Sequence, residues 1–405
     1  MDWRNRIGLY GAYFCGMAGI GFTLPYLPLY LRGEGFSDRA ISFVSALAAL
    51  VGVTQFPIGL WSDRLRRRKP FLVALLAVLA LATVLLPMTH GLLLVSLLVL
   101  LVAENGVCRA TVESLAGAEA TQMAPPDGVG AALGALRVWR PSAIVVVALA
   151  SIGLSGVLGV RGLLMPLAVV QGLAVVLALL IREEHKKPEP SQDRRKDLAA
   201  GSKGLRDATL WVFVAAMVLF HFSNAPGGVY LGLFMKQELG TSEGLLPVAF
   251  VVSMVVWMLA VQAGGRLADR IGRRPLLITA WAIMTARLLL LAVAQATWQA
   301  LAIQVLDGLG QALFAVLAAA WVTDRLGDPR KAGEAQVLVG SALVFGSAVG
   351  PAVTGLVVDA LGYRGTFAAL GGVGAVATLL VIGMVPETLK TGDKTREALA
   401  VSESG

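Results

Sequence analysis

The feature that most constrains this chain is a series of apolar runs, each long enough to cross a membrane as a helix. A helix needs about 20 predominantly apolar residues to span the hydrocarbon core of a bilayer. The pattern predicts an all-α membrane protein with twelve transmembrane helices. These spans, numbered 1 to 12, cover residues 7–31, 40–61, 70–88, 91–118, 130–158, 161–181, 209–235, 244–266, 275–294, 297–323, 333–360 and 365–385.

The composition excludes a soluble protein. Hydrophobic residues make up 57% of the chain and charged residues only 15%, whereas a globular domain carries about 25% charge. The net charge of +8 does not indicate nucleic-acid binding, because the basic residues lie in short clusters between the apolar runs. Cys15 and Cys108 lie inside apolar runs without metal-ligand spacing, so we expect no metal site, disulfide framework or cofactor.

The distribution of lysine and arginine predicts the orientation. Most of these 34 residues lie on the side that holds both termini, notably in segments 64–69, 182–206 and 266–274. Loops on the cytoplasmic side of a membrane carry an excess of lysine and arginine. We therefore expect a multi-pass protein of the plasma (inner) membrane with both termini in the cytoplasm. An even number of spans agrees with both termini lying on the same side.

A polar segment divides the chain into two sets of six spans. Residues 182–207 mix both charge signs with proline and small residues, which is typical of a linker. The sequence thus predicts an N-terminal bundle over residues 1–181 and a C-terminal bundle over residues 208–386. The remaining residues, 387–405, are polar and are predicted to form a cytoplasmic tail.

The two sets of spans are similar in sequence. Residues 26–34 at the end of span 1 match residues 230–238 at the end of span 7. Residues 59–68 after span 2 match residues 265–274 after span 8, at nearly the same offset. Such internal similarity predicts two pseudo-symmetric six-helix bundles.

The repeated segment after spans 2 and 8 reads Gly-x-x-x-Asp-Arg-x-x-Arg-Arg. It resembles the signature loop of the major facilitator superfamily (MFS), whose transporters consist of duplicated halves. The resemblance implies alternating access, monomeric function, a small-molecule substrate and a gate at the cytoplasmic side. The gate residues it implies are Gly59, Asp63, Arg64, Arg67, Gly265, Asp269, Arg270 and Arg273.

Within the first copy of this loop, Asp63 ends an apolar helix. Its carboxylate can cap backbone donors or pair with Arg64 or Arg67. We interpret Arg68 and its neighbour Lys69 only as a charged turn that obeys the charge bias of cytoplasmic loops.

Two acids lie deep in the spans. Glu104 of span 4 and Asp307 of span 10 are near mid-membrane at about 1.5 Å per residue, in approximately equivalent places of the two repeats. Charged groups in lipid are costly and face a partner or a water-filled cavity. Two interpretations stay open: a salt bridge that only holds helices together, or a carboxylate that takes and releases a proton during transport.

Arginines within the spans are possible partners. Arg109 precedes Glu113 by four residues, so we expect these two to pair on one face of span 4. Arg140 lies towards the cytoplasmic end of span 5, where a long basic side chain can snorkel to the interface. Arg287 is twelve residues into span 9, too deep to snorkel, and should point inward.

His221 is the one histidine within a span, on the same face as Asn224. It is either a hydrogen-bonded packing residue or part of a polar cavity lining. Tyr26, Gln304 and Gln311 are weaker candidates for that lining. The full set of substrate-cavity candidates is Arg109, Arg140, His221, Asn224, Arg287, Tyr26, Gln304 and Gln311.

The acids of spans 4 and 10, the arginines of spans 5 and 9 and the segment 25–31 resemble oligosaccharide/proton symporters and their aryl-acid-transporting relatives. That resemblance implies proton coupling. No histidine adjoins Asp307, which argues against a sugar substrate. Drug/proton antiporters carry an arginine in span 4 where this chain has Val102, which weakens the interpretation as an efflux pump without excluding it.

The spans contain four arginines, Arg109, Arg137, Arg140 and Arg287, against three deep acids, which favours an anionic or zwitterionic solute. The chain has no nucleotide-binding loop of the Gly-x-x-x-x-Gly-Lys-Ser/Thr type, so a secondary active transporter is expected. Import of a small organic acid is the first hypothesis and export of drugs or metabolites the second. A transporter-like sensor without flux is the third, and no residue grouping supports a membrane enzyme.

Overall fold

The computed structural model describes residues 3–65, 67–123, 129–182, 207–326 and 332–388, and these residues form helices without strands. The helices of the N-terminal half correspond to spans 1 to 6, with the bounds Trp3–Met17 and Ile20–Gly33, Asp38–Val51 and Gln55–Leu65, Lys69–Leu85, Leu92–Val102 and Val107–Met123, Val129–Gly162, and Leu164–Leu179.

The C-terminal half continues with spans 7 to 12. Its helices are Ala208–Gln237, Leu246–Ile271, Arg273–Val293, Thr297–Leu326 and the long segment Ala332–Met384. The last segment is two helices, because Gly362 has φ 63° and breaks it into spans 11 and 12. With each broken span counted as one segment, ten described segments are long and apolar enough to cross a membrane. One of them holds spans 11 and 12, and Leu164–Leu179 is a shorter apolar helix. The predicted all-α membrane fold with twelve spans is thereby confirmed.

Three spans of the N-terminal half are interrupted. Span 1 breaks between Met17 and Ile20, and span 2 contains a 3₁₀ turn over Gly52–Thr54. Span 4 breaks between Val102 and Val107, where Ala103 is extended with ψ 159°. Irregular backbone at membrane depth is tolerated only where protein or a water-filled cavity surrounds it. The breaks thus indicate places where neighbouring helices enclose the backbone or where it lines a cavity.

The buried apolar residues form three cores, and their distribution shows how the halves meet. One core draws on both halves and includes Tyr30, Phe36, Phe234 and Phe367. It lies at the end of the molecule that holds the links after spans 1 and 7, which we call the joined end. The other two cores have buried residues from one half each, 210–385 and 9–181. They lie at the opposite, split end, which holds the links after spans 2 and 8.

Hydrogen bonds between the halves reinforce the joined end. The hydroxyl of Tyr363 donates to Asp38 at 3.0 Å, and the hydroxyl of Tyr26 donates to the carbonyl oxygen of Glu243 at 3.1 Å. A further bond of this kind joins the hydroxyls of Ser42 and Tyr230. With the predicted orientation, the joined end faces outward and the split end faces the cytoplasm.

The residues on either side of the predicted linker pack onto their own halves. Asn5 accepts a hydrogen bond from the backbone of Arg182 at 2.8 Å, and Asp207 pairs with Arg325. Residues 183–206 and 389–405 lie outside the described part of the chain, so the linker and tail stay predictions.

Candidate functional site

The acid of span 4 lies in a cluster of three charges. Glu104 sits in the break of the span, and its carboxylate accepts a bond from Nη2 of Arg140 at 2.7 Å. Nη1 of Arg140 donates to both oxygens of Glu113, at 3.2 and 3.1 Å. Span 5 thus contributes one arginine to two carboxylates of span 4. The three side chains are 28%, 29% and 44% exposed for Glu104, Arg140 and Glu113.

The acid of span 10 lies in a second, more deeply buried cluster. Asp307 is 3.3 Å from Nε of Arg287, which belongs to span 9 and is 3% exposed. The other carboxylate oxygen of Asp307 accepts a bond from the hydroxyl of Ser253 in span 8 at 2.5 Å. Nη2 of Arg287 donates to the amide oxygen of Gln304 at 3.3 Å. The acid and the arginine therefore neutralise each other within three adjacent spans.

The structure corrects the predicted pairing of Arg109 and shows where Arg140 lies. Glu113 pairs with Arg140, so the expected pair with Arg109 was wrong. Arg109 and Glu113 do lie four residues apart in one helix. The Arg109 guanidinium, however, points into the break of span 4 and donates to the carbonyl oxygen of Val102. Arg140 does not snorkel to the interface, because both deep acids of span 4 hold it.

His221 and Asn224 lie together on span 7 and are buried. Their surroundings are apolar on one side, since the ring of Phe314 lies edge-on to the imidazole at 4.8 Å between centroids. The Asn224 amide donates to the carbonyl oxygen of Phe220 in its own helix at 2.7 Å. Within the described residues, Nε2 of His221 and Oδ1 of Asn224 have no hydrogen-bond partner. Both polar atoms are available to another group.

The weaker cavity candidates occupy different places. Tyr26 is buried at the joined end, where it bonds across the two halves, so packing explains it. Gln304 is buried beside Arg287. Gln311 is half-buried, one helical turn beyond Asp307 along span 10. Of these three, Gln304 belongs to the charge cluster.

In the first copy of the signature loop, Asp63 has a different partner from the one predicted. Its carboxylate accepts bonds from Nε and Nη2 of Arg68 at 3.0 and 2.8 Å, while Arg64 and Arg67 are exposed. Nη1 of Arg68 also reaches the amide oxygen of Gln122 at 2.6 Å. Arg68 is therefore more than a charged turn, because it ties the loop to the end of span 4. Gly59 is half-buried on the preceding helix.

The second copy of the loop is tied to the end of span 12. The carboxylate of Glu387 accepts bonds from the backbone N–H groups of Arg273 and Arg274 at 3.0 and 2.9 Å. The Arg273 side chain pairs with Asp324. Gly265 is half-buried and Arg270 exposed, and the side chain of Asp269 lies outside the described residues. The structure therefore leaves the gate role of both loops a prediction.

Two members of the clusters were not selected from the sequence. Glu113 was assigned only as a partner of Arg109, because the break at 103–106 and the bond from Arg109 to Val102 were not foreseen. Ser253 lies in an apolar run of span 8 and gave no signal of its own. A search for small polar residues at the depth of a buried acid would have included it.

Comparison with known proteins places the chain in a family. The model of the MFS_1 like family matches residues 7–369. An uncharacterised MFS-type transporter of Mycobacterium tuberculosis is 29% identical over 92% of this chain and 91% of its own length. The multi-drug resistance efflux pump PmrA of Streptococcus pneumoniae is 25% identical over 91% of this chain and 92% of its own.

The fold agrees with that assignment. A crystal structure of a mutant of the nucleoside transporter NupG superposes with a TM-score of 0.81, covering 94% of this chain and all of that one, at 15% identity. At that identity the likeness concerns the fold alone. Proteins of this family and fold are carriers rather than enzymes. The chain therefore belongs to the MFS_1 like family and is a multi-pass membrane transporter with the MFS fold.

Proposed function

We propose that this transporter moves a small organic solute between its two halves by alternating access, coupled to protons through Glu104 and Asp307. The observation that carries the proposal is the acid–arginine pair in each half, 2.7 Å for Glu104 with Arg140 and 3.3 Å for Asp307 with Arg287. A carboxylate within a membrane span is costly unless it is paired or serves a pathway. Each acid changes its charge if its arginine moves with the opening of the cavity.

Of the two acids, the geometry favours Glu104 as the principal proton carrier. Arg140 serves two carboxylates, so one negative charge of the N-terminal cluster is not neutralised by it. Two carboxylates that share one arginine repel each other, so Arg140 holds Glu104 less firmly than it would hold a single acid. Asp307, in contrast, has its own arginine and a hydroxyl donor. We assign it the second, supporting role.

The revised positions of the arginines change the expectation about the solute. Arg109 lies inside the N-terminal half against Val102, so it does not add to the charge of the clusters. Without it, three arginines within the spans remain against Glu104, Glu113 and Asp307. The excess of positive charge that favoured an anion is absent from this set. We therefore favour a neutral or zwitterionic organic solute over an organic acid.

The direction of access follows from the two ends of the molecule. The core shared by both halves lies at the joined end, and the split end carries the basic loops. Basic loops face the cytoplasm. We thus assign the structure to a state open towards the cytoplasm of a plasma (inner) membrane, with the transporter acting as a monomer. The signature loops, including Asp63 and Arg270, would meet as a gate in the opposite state.

Transport in proteoliposomes with an imposed pH gradient tests this function. The panel would contain amino acids, nucleosides, organic acids, sugars and cationic dyes. We expect at least one neutral or zwitterionic member to accumulate with the gradient, and the Glu104→Gln and Asp307→Asn variants to lose accumulation. If both variants accumulated solute as the unchanged protein does, the proton-coupling assignment would be wrong. Binding without flux across the panel would favour a sensor.

Efflux by proton antiport is the second candidate function. It is supported by the full-length similarity to the efflux pump PmrA. The same proteoliposomes distinguish the two directions, since an antiporter accumulates solute when the lumen is acidic and a symporter when it is alkaline. Accumulation of cationic dyes in acidic vesicles would favour efflux.

The gate has its own test. The Asp63→Asn variant loses the two bonds from Arg68. If the loop acts as a gate, transport should slow more than solute binding weakens. An equal loss of both would indicate that the loop serves folding.

A further inference from the structure

Span 4 is broken where its acid lies, and the break frees backbone carbonyls at the end of its first helix, including that of Val102. In a continuous helix the N–H of Gly106 would donate to the carbonyl oxygen of Val102. Here that N–H donates to Ala103 instead, at 3.2 Å. Helix-interrupting backbone in a membrane must have its polar groups satisfied by neighbouring protein. The carbonyl of Val102 therefore needs another donor.

Arg109 supplies that donor. Its Nη1 donates to the carbonyl oxygen of Val102, seven residues earlier in the same span. The side chain is 1% exposed, and both acids of span 4 bond Arg140 rather than Arg109. A buried guanidinium is costly in a membrane. Here the Arg109 guanidinium donates to a freed backbone carbonyl instead of pairing with an acid of span 4.

The fold makes room for this guanidinium at the break of span 1. A Cβ added to Gly19 would collide with Nη2 of Arg109 and would lie 2.6 Å from Nε2 of Gln171 in span 6. Gly52 of span 2 also lies against the broken segment of span 4, close to the carbonyl oxygen of Asn105. Glycine at both places lets spans 1 and 2 enclose the broken segment of span 4.

We propose that Arg109 is a positioning residue that holds the break in span 4 and thereby presents Glu104 to Arg140. Glu104 lies between Val102, which Arg109 binds, and Gly106, where the helix resumes. If Arg109 releases Val102, the segment can return to a regular helix, which rotates Glu104 away from span 5. This inference rests on the proposed function for the importance of Glu104, but its geometry can be tested without a substrate.

A double-mutant cycle on thermal stability measures whether Glu104 and Arg140 interact. The melting temperature of the purified protein is determined for Glu104→Gln, Arg140→Gln and the double variant. Directly interacting residues show non-additive effects, here on the order of 2 °C. The cycle is then repeated in an Arg109→Gln background. We expect the non-additivity between Glu104 and Arg140 to disappear in the Arg109→Gln background. If Arg109 only stabilised the fold, Arg109→Gln would lower every melting temperature and the non-additivity would remain.

A second background displaces the same group while keeping its charge. Gly19→Ala places a methyl group where Nη2 of Arg109 lies, so it carries the test if Arg109→Gln does not fold. Gly153→Ala is the matched control, because a Cβ there meets nothing within 4 Å. We expect Gly19→Ala to abolish the non-additivity and Gly153→Ala to preserve it. Arg109→Lys retains a donor, so the cycle in that background should show at least half of the non-additivity found in the unchanged protein.

The proposal is overturned if the Glu104–Arg140 non-additivity survives unchanged in folded Arg109→Gln or Gly19→Ala protein. This outcome is distinct from failure of the proposed function. Proton coupling could be absent although Arg109 positions Glu104, and coupling could be present although something else positions it.

Discussion

The N-terminal half holds its mid-membrane acid with an arginine that also serves a second acid, whereas the C-terminal half gives Asp307 an arginine of its own. Arg140 comes from span 5, next in sequence after the span of Glu104 and Glu113. Arg287 comes from span 9, just before the span of Asp307. Each half thus pairs an acid of its fourth span with an arginine, but the arginine comes from the following span in one half and from the preceding span in the other.

The arginines of the two clusters differ in burial, and this difference indicates different roles for the clusters. Arg140 is 29% exposed and Arg287 is 3% exposed. A charge pair that water reaches can exchange protons and can separate at small cost, while a buried pair is costly to break. We infer that the N-terminal cluster is the principal site of proton exchange and that the C-terminal cluster, besides its supporting role, holds spans 8, 9 and 10 together.

The largest effect that separates the clusters should be on stability. Arg287→Gln leaves Asp307 without its counter-charge in a buried place, and we expect a loss of about 3 kcal/mol. Arg140→Gln removes a more exposed partner, and we expect about 1 kcal/mol. Chemical denaturation in a defined detergent measures both. Equal losses of stability would contradict the different roles of the two clusters. A larger loss for Arg140→Gln would assign the structural role to the N-terminal cluster.

How far the sequence predicted these clusters depends on the regularity of the spans. Asp307 and Arg287 lie in continuous helices, and Arg287 is buried, as its distance from the start of span 9 predicted. Span 4 is interrupted at 103–106, and the Arg109 side chain turns back towards that interruption. Its four-residue spacing from Glu113 within one helix therefore did not predict the partner of either residue. The twelve spans themselves follow from apolar length, which a break of four residues does not disturb.

The partner of Asp63 was missed for a related reason. Spacing within the signature loop indicated Arg64 or Arg67, but the loop folds back so that Arg68 bridges Asp63 and Gln122. Gln122 is distant in sequence, at the end of span 4. A contact that depends on the packing of two spans cannot be inferred from the loop alone.

The smallest effect we expect lies outside both clusters and gives a baseline for them. Asp207 caps the first turn of span 7, and its bonds from Arg325 and the Thr209 N–H hold its pKa below the usual range. Asp207→Ala should cost about 1 kcal/mol at neutral pH. A depressed pKa stabilises the fold above the unfolded value and loses this contribution as pH falls through the folded value. The deficit should therefore narrow below about pH 4. Denaturation at several pH values tests this, and a constant deficit would contradict the cited cause.

Proton movement driven by solute tests the central claim most directly. Proteoliposomes in weak buffer receive a pulse of a solute that the panel identified, and a pH electrode follows the external medium. We expect a pH change with the unchanged protein and none with Glu104→Gln, although Glu104→Gln should still exchange labelled solute across the membrane. A Glu104→Gln protein that moves protons with solute as the unchanged protein does would contradict the account.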